Sequence, residues 1–513
     1  MINSTSIKTR FLISVAANMT RTVIGFFSGL LVARSLNPSG YGDMTFLLGS
    51  FVAVRSLLDM GSSSAFYTFI SQRPRGNRFY RYYFIWLAIQ FVIPALLVAV
   101  LMPREMMTRI WLGQSRMMVL IAFAAAFTQQ QLWQTVTQIG ESSRKTVLIQ
   151  VINIAVAISH LLLVLGLLAF GFVTVTTMFW LLIAENLAAS VVALWFLRKM
   201  RVIAGANGPE DASPRSLFKD YYIYCKPLAL LSVVAFFYEF ADRWLLQRFG
   251  GSTQQGFYQI AYQFSTVSLL ATTSILNVFW KEIAEASERQ DKERLAALYH
   301  KISRSLVILG AILSGFLIPW SGQLVLLILG ESYIMAVPAL AIMFLYPIHQ
   351  SLGQIGGTMV LAQGRTGAYM TLAIIMKLIS MPISYLVQAP AHGTPIPGLG
   401  LGAVGLALKM VGMNIISVNI LAWIIAQYHD WKFDWLYQVV GISLAVGAGY
   451  LAKTGAGFFW DLSASEALRL LPPFLASGVL YLILMTMVIL TMPWLIGMDR
   501  GDIQNLFARK RAA

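Results

Sequence analysis

Apolar runs of bilayer-spanning length recur along this chain from Phe11 to its end, and they limit its fold more than any other feature. A hydrocarbon layer of roughly 30 Å needs about 20 apolar residues per helical crossing, and its lack of water forces backbone polar groups to pair internally. Runs of that length predict spans near residues 11–33, 44–70, 82–102, 117–138, 147–170, 173–197, 222–246, 257–280, 304–322, 335–361, 368–389, 401–426, 437–452 and 470–493. The expected fold class is therefore an all-α polytopic membrane protein of about 14 transmembrane helices. Composition agrees: 58% of the 513 residues are hydrophobic and 12% are charged, against roughly 25% charged in soluble proteins. The first run, Phe11 to Ala33, is long enough to stay as a span rather than serve as a cleaved signal.

The formal net charge of +16 does not require nucleic acid as a partner. Most basic residues cluster in short connections: Arg73 to Arg81, Arg144-Lys145, Arg198 to Lys219, Lys281 to Arg304, and the tail Arg509-Lys510-Arg511. By the positive-inside rule these connections face the cytoplasm, which puts both termini there, in a cell inner membrane. The segment from Glu282 to Arg304 reads as a solvated amphipathic helix on that face. A single cysteine, Cys225, allows no disulfide framework and no cysteine-based metal site. The five histidines, His160 and His349 among them, show no metal-binding spacing, so no metal or cofactor is expected.

The chain also repeats itself. "VARSLNPSGYGDMTF" after the first span matches "LQRFGGSTQQGFYQI" after the seventh, with Arg34 to Gly42 spaced as Arg248 to Gly256. "IWLGQS" around Gly113 has a counterpart in "LILGES" around Gly330, and "QIGESSRKT" around Gly140 in "LAQGRTGAY" around Gly364. Three echoes in one order predict a parallel duplication. The expected organisation is a six-helix lobe over 1–205, a second over 206–426, and two further helices with a basic tail over 427–513.

No motif argues for an enzyme. Gly400 to Gly405 fits GxGxxG, but it opens a membrane span and follows no strand. The informative residues are polar groups inside spans. Ser14, Asn18, Arg21, Gly25 and Ser28 share one stripe of the first helix; Gln130, Gln134 and Gln138 share one of the fourth; Gln259, Gln263, Thr266, Thr273 and Asn277 share one of the eighth. Such stripes serve either as helix–helix glue or as walls of a polar cavity. Arg21, Arg55, Arg243, Lys377 and Lys409 lie within spans, as do Asp59, Glu185, Glu239 and Asp242. A charge at mid-bilayer costs about 2.5–3.5 kcal/mol, so each must pair or face an interior cavity. Arg55 with Asp59 and Glu239 with Arg243 are one helical turn apart and could neutralise each other. Arg21, Lys377 and Lys409 have no local carboxylate, which predicts a cavity with excess positive charge, fit for an anion. Asn18 and Gln263 join the five cations as expected substrate contacts. Glu185, Asp59, Glu239 and Asp242 are the candidates for a coupling ion, with Glu185 favoured because no arginine lies near it in sequence. His160 and His349 read as packing residues.

The stretch "GFFSGLLVARSLNPSGYGDMTFLLGSFVAVRSLLDMGSSSAFYTFIS", with Ala33-Arg34, Pro38, Gly40-Tyr41-Gly42 and Asp59-Met60-Gly61, resembles the polysaccharide transporter family. These are the O-antigen and exopolysaccharide flippases of the multidrug/oligosaccharidyl-lipid/polysaccharide exporter superfamily. "LGESY" and "AQGRT" in the second half are similar to that family too. The resemblance implies a V-shaped pair of six-helix lobes, with helices one and seven flanking a cavity that opens alternately to either side. It implies a lipid-linked anionic oligosaccharide as cargo, carried on undecaprenyl diphosphate, with H+ or Na+ as coupling ion and a polysaccharide polymerase and glycosyltransferases as partners. Arg21 and Arg55 resemble the first-lobe cations of such flippases and Arg243 the second-lobe one; Lys377 and Lys409 match no family motif. Three alternatives stand beside this reading: an ion-coupled multidrug exporter of the same superfamily, a sugar polymerase or ligase, and a non-transport component of polysaccharide assembly. An exporter of cations would carry an acidic cavity, and a polymerase would need a catalytic external loop.

Overall fold

The computed structural model describes residues 7–200, 202, 214–289, 291–363, 366–462, 467–499 and 501. The expected lobe boundary at 205/206, the Gly364 segment and the tail at Arg509 fall outside them, as do the side chains of Thr273 and Asn277. The described chain is helical throughout. Its helices are α1 (Ile7–Asp59), α2 (Ser62–Gln72), α3 (Asn77–Leu96), α4 (Arg104–Trp111), α5 (Arg116–Phe127), α6 (Trp133–Ser142), α7 (Thr146–Ala169), α8 (Val175–Lys199), α9 (Pro214–Glu288), α10 (Lys292–Ile328), α11 (Val337–Met343), α12 (Tyr346–Ala362), α13 (Thr366–Gln388), α14 (Gly402–His429), α15 (Leu436–Gly457) and α16 (Ala467–Thr491).

Among the described residues, 11 helices are long and apolar enough to cross a membrane, or 12 when the bent pair Arg104–Trp111 and Arg116–Ser142 counts as one span. The protein is a multi-pass membrane protein. The 14 predicted spans differ from this number because two pairs of them are each one continuous, broken helix. The apolar segments of α1 and α9 run 47 and 54 residues, about 70 and 80 Å at 1.5 Å per residue. Single-residue steps interrupt them: Asn37 (φ 57°, ψ 169°) in α1 and Gly251 (φ 76°, ψ 178°) in α9. Each step lies three residues beyond Arg34 or Arg248, so the first sequence echo marks one backbone device used twice. The second echo does likewise, with Gly113 and Gly330 at φ 91° and 88°.

Contacts divide the chain into Met1–Gly256 and Phe257–Ala513. In the first unit the two broken turns meet backbone to backbone. A methyl group at Gly42 would overlap the Ser252 carbonyl and stand 2.9 Å from Gly256 N; one at Gly256 would overlap the Pro38 carbonyl. Only glycine permits that approach. Beside it, Asp43 accepts hydrogen bonds from Gln114 (2.7 Å), Gln247 (3.2 Å) and Ser252 (2.6 Å), so one carboxylate ties three segments together. Stacked Phe66, Phe79 and Tyr83 anchor the other core of this unit.

In the second unit α15 lies along α10, where Gly449 meets the Gly315 backbone and Gly441 meets Ile308. Lys453 donates to Pro319 O (2.6 Å) and Gln323 Oε1 (2.8 Å), and Tyr481 of α16 donates to Ile312 O (2.8 Å). The last two helices are thus part of this unit's core. His349 is the packing residue expected, joined to Gln438 (3.1 Å). The Glu282–Arg304 segment is not one separate helix: α9 and α10 share it, Asp291 caps α10, and Arg294–Glu282 and Arg289–Glu285 bridges tie the ends.

Candidate functional site

The first unit holds a partly open cavity of about 880 Å³, walled by α1, α2, α6, α7 and α8. That lies toward the upper end of roughly 300–1,000 Å³ for ligand pockets. α1 contributes Arg21, Gly25, Ser28, Gly29 and Val32, so the cavity follows that helix for about 16 Å of rise. Glycines and serines there leave room where larger side chains would fill it.

The opposite wall begins with a π-helical turn, Thr128–Leu132, between α5 and α6. The wider turn rotates neighbouring side chains in different directions, a device that recurs at functional sites. Gln129 lines the cavity, Gln130 accepts from Arg55 (3.4 Å), and Gln131 donates to Gln90 (3.3 Å). One and two turns later, Gln134, Gln138 and Glu141 line the cavity. Trp133 donates to Asn153 of α7 (3.2 Å), fixing the aromatic and amide groups of the wall.

Charge enters at two levels. Glu141 and Arg21 interact electrostatically at one end. Deeper in α7 and α8, His160 Nδ1 and Glu185 Oε2 are hydrogen-bonded at 2.9 Å, with side-chain exposures of 21% and 7%. Both residues sit near the middle of their helices and line the cavity. His160 is the partner that Glu185 lacked in sequence. The cavity holds two carboxyl groups, one guanidinium and an imidazole already bound to a carboxylate.

The other predicted residues divide by location. Arg55 sits against the wall and donates to Gln130 and to Gln134 (3.2 Å), not to Asp59. Asp59 ends α1 and accepts from Ser62 Oγ, Ser63 N and Ser63 Oγ at 2.9–3.0 Å, so it caps α2 and lies outside the cavity wall. The expected Arg55–Asp59 pair is not formed because the chain breaks at Met60 and Gly61, both at positive φ. Arg243 fills the space over Gly49 of α1 and donates to Thr45 O (3.4 Å), bracing helix to helix. Asn18 is exposed on α1, one turn before Arg21. Glu239 and Asp242 are on α9 and outside the cavity wall. Gln263, Lys377 and Lys409 belong to the second unit, Lys409 only 3% exposed. The eleven predicted residues therefore do not form one cluster in the first unit; Arg21 and Glu185 are the two that line its cavity.

Glu141, Trp133, Asn153, Asn186 and His160 were missed as site residues. Glu141 lies one turn beyond Gln138 on the polar stripe, and extending that stripe would have found it. His160 and Glu185 show only as isolated polar residues in apolar helices.

Residues 8–280, more than half of the chain, match the family model described as polysaccharide biosynthesis protein. The chain belongs to the polysaccharide biosynthesis protein family. Over 275 residues it is 21% identical to the probable low-salt glycan biosynthesis flippase Agl15 of Haloferax volcanii; the match spans 53% of this chain and 54% of that relative. In fold, it is similar to the lipid II flippase MurJ in its inward closed conformation (TM-score 0.68, 14% identity, 93% of this chain and 99% of the other). It is also similar to an inward-facing multidrug resistance MATE family transporter of the MOP superfamily (TM-score 0.62, 14% identity, 80% and 96%). Membership in this family places the chain in polysaccharide biosynthesis.

Proposed function

We propose that this family member is a flippase that moves an undecaprenyl-diphosphate-linked oligosaccharide from the cytoplasmic to the periplasmic leaflet by alternating access, for surface polysaccharides such as O-antigen. The observation that carries this reading is the polar cavity inside an apolar helix bundle, walled by Gln129, Gln134, Gln138, Asn153 and Asn186. Amides pair with sugar hydroxyls in both directions, while an indole or phenol face covers the ring's apolar side. Lipid tails stay in the bilayer as the head crosses. Counting α1 and α9 as two crossings each and the bent pair as one gives fourteen crossings, in keeping with two six-helix lobes and a terminal pair, both termini cytoplasmic.

In this reading Arg21, with a planar donor fork, meets the diphosphate at one end of the cavity. Lys377 and Lys409 are the cations the second unit would offer. The His160–Glu185 pair is the proton-exchanging group, since a carboxyl and an imidazole inside a membrane mark an ion pathway. Glycosyltransferases and a polymerase are the pathway partners that would supply and consume such a cargo. The test is complementation. Arg21→Ala protein should insert normally and restore little polymer to a flippase-deficient strain; full restoration would remove Arg21 from the pathway.

One observation favours a second reading. Carboxyl groups outnumber guanidinium groups in the cavity, as in an exporter of small cationic molecules. Deletion of the gene separates the two: loss of polymer supports the flippase, and sensitivity to cationic drugs with normal polymer supports the exporter.

A further inference from the structure

Tyr41, Tyr67 and Trp133 supply the phenol and indole rings of the cavity wall, and they differ in exposure. Tyr41 is 4% exposed and Trp133 9%, whereas Tyr67 is 38% exposed, so it alone of the three offers an open ring face. The reason lies in α2. Phe66 and Ile70 lie in the core, Phe66 stacked on Phe79 and Tyr83. Ser64, Tyr67 and Ser71 follow at three- and four-residue steps along the exposed side of the helix. An exposed tyrosine of a membrane helix ordinarily serves the lipid headgroup level. Tyr67 instead shares the cavity wall with Gln134, Gln138 and Glu141, and it interacts electrostatically with the Glu141 carboxyl group.

We propose that Tyr67 is the stacking residue for a pyranose ring at the Arg21 end of the cavity, an inference that rests on the flippase reading. A pyranose with equatorial hydroxyls carries C–H bonds on its two flat faces. Those faces are apolar, and their hydrogens meet the electron-rich face of a phenol ring favourably. The hydroxyls project from the ring's edge toward hydrogen-bonding groups. Gln134 is one such group: its Oε1 accepts from Arg55 at 3.2 Å, which orients the amide and leaves its NH2 to donate to a hydroxyl oxygen. Gln134 is exposed and lies seven residues before Glu141 on α6, about 10 Å of rise, so the ring face and the amide donor are spaced along the cavity. Glu141 also interacts with Arg21, which puts the stacking face beside the guanidinium that meets the diphosphate. The contact depends on ring shape rather than on charge.

The experiment is equilibrium binding of two probes, farnesyl diphosphate and its glucosyl ester, to the purified full chain in phosphatidylcholine nanodiscs. The probes differ by one all-equatorial ring. General attraction to a chain of net charge +16 would favour the bare diphosphate, which carries the extra negative charge. Wild type should instead bind the glucosyl probe at least fivefold tighter. Tyr67→Phe keeps the ring and should keep the preference. Tyr67→Leu keeps an apolar side chain without the π face and should reduce the preference below twofold. Tyr67 is exposed, so both variants should melt with wild type. A wild-type ratio near one, or a preference that survives Tyr67→Leu, overturns the stacking assignment. Equal loss in Tyr67→Phe overturns it too, by making the hydroxyl the contact, and so does binding of neither probe. The flippase reading itself fails on a separate readout, normal polymer output from cells that lack the protein.

Discussion

Replacing Gly42 with alanine adds one methyl group at the tightest point of the first unit, and its consequences can be worked through. The new Cβ would overlap Ser252 O, lie 2.6 Å from its carbonyl carbon and 2.9 Å from Gly256 N, where ordinary contact begins at 3.4 Å. Both neighbours are backbone, so no side chain can swing aside, and the two turns must part by about 1.5 Å. Overpacking of this kind costs about 1–3 kcal/mol. Parting the turns also stretches the Gln247 and Ser252 bonds to Asp43; hydrogen bonds to a charged group contribute about 1.5–3 kcal/mol each. Alanine returns about 1 kcal/mol as the better helix former. The net expectation is a loss of about 3–8 kcal/mol, the sum of terms of known size. Thermal unfolding of purified protein in detergent should show a clear drop for Gly42→Ala and for Gly256→Ala. Gly166→Ala, in a glycine with nothing within 4 Å of the added carbon, should show none. Because both disruptive changes open the same junction, the double variant should lose less than the sum. Gly42→Ala as stable as Gly166→Ala would refute the backbone contact and the paired-turn account of the repeat.

Other outcomes follow from the same contacts. In the second unit, Gly449→Ala should destabilise strongly because Gly449 abuts the Gly315 backbone, whereas Gly447→Ala, two residues away with open space, should not; the same melting assay reads both. Lys453→Met removes donors to Pro319 and Gln323, and should cost about 1–3 kcal/mol by melting. Glu185→Gln and His160→Gln should each abolish polymer export while leaving membrane insertion and melting near wild type; export retained in both would remove the pair from the pathway.

The helices themselves were legible, because the bilayer leaves a period and a length that the sequence cannot disguise. The repeat was legible as well: Arg34–Gly42 and Arg248–Gly256 carry the same left-handed step at the same place. What sequence spacing could not show was how the breaks would be made. Asn37 and Gly251 turn the chain in a single residue, so the expected pairs of spans became two long helices. The Arg55–Asp59 pairing failed for a local reason. One-turn spacing promises contact only while the helix continues, and Asp59 is its last residue, drawn to the α2 amides instead. Glu185 was singled out correctly as an intramembrane carboxyl, but His160 comes from the neighbouring helix, and which faces of α7 and α8 meet is a matter of packing. The place of Glu141 at the wall of the first unit's cavity is likewise a matter of packing.

The most direct test of transport through this cavity is to fill it. Ala157 lines its wall on α7, and Ala157→Trp would occupy the space a sugar needs. Cells carrying that variant, at normal protein level in the membrane, should accumulate lipid-linked oligosaccharide on the cytoplasmic leaflet and export little polymer. Val479→Trp, on the outward face of α16, should behave as wild type. Normal polymer export from Ala157→Trp cells, with no accumulated intermediate, would contradict the account.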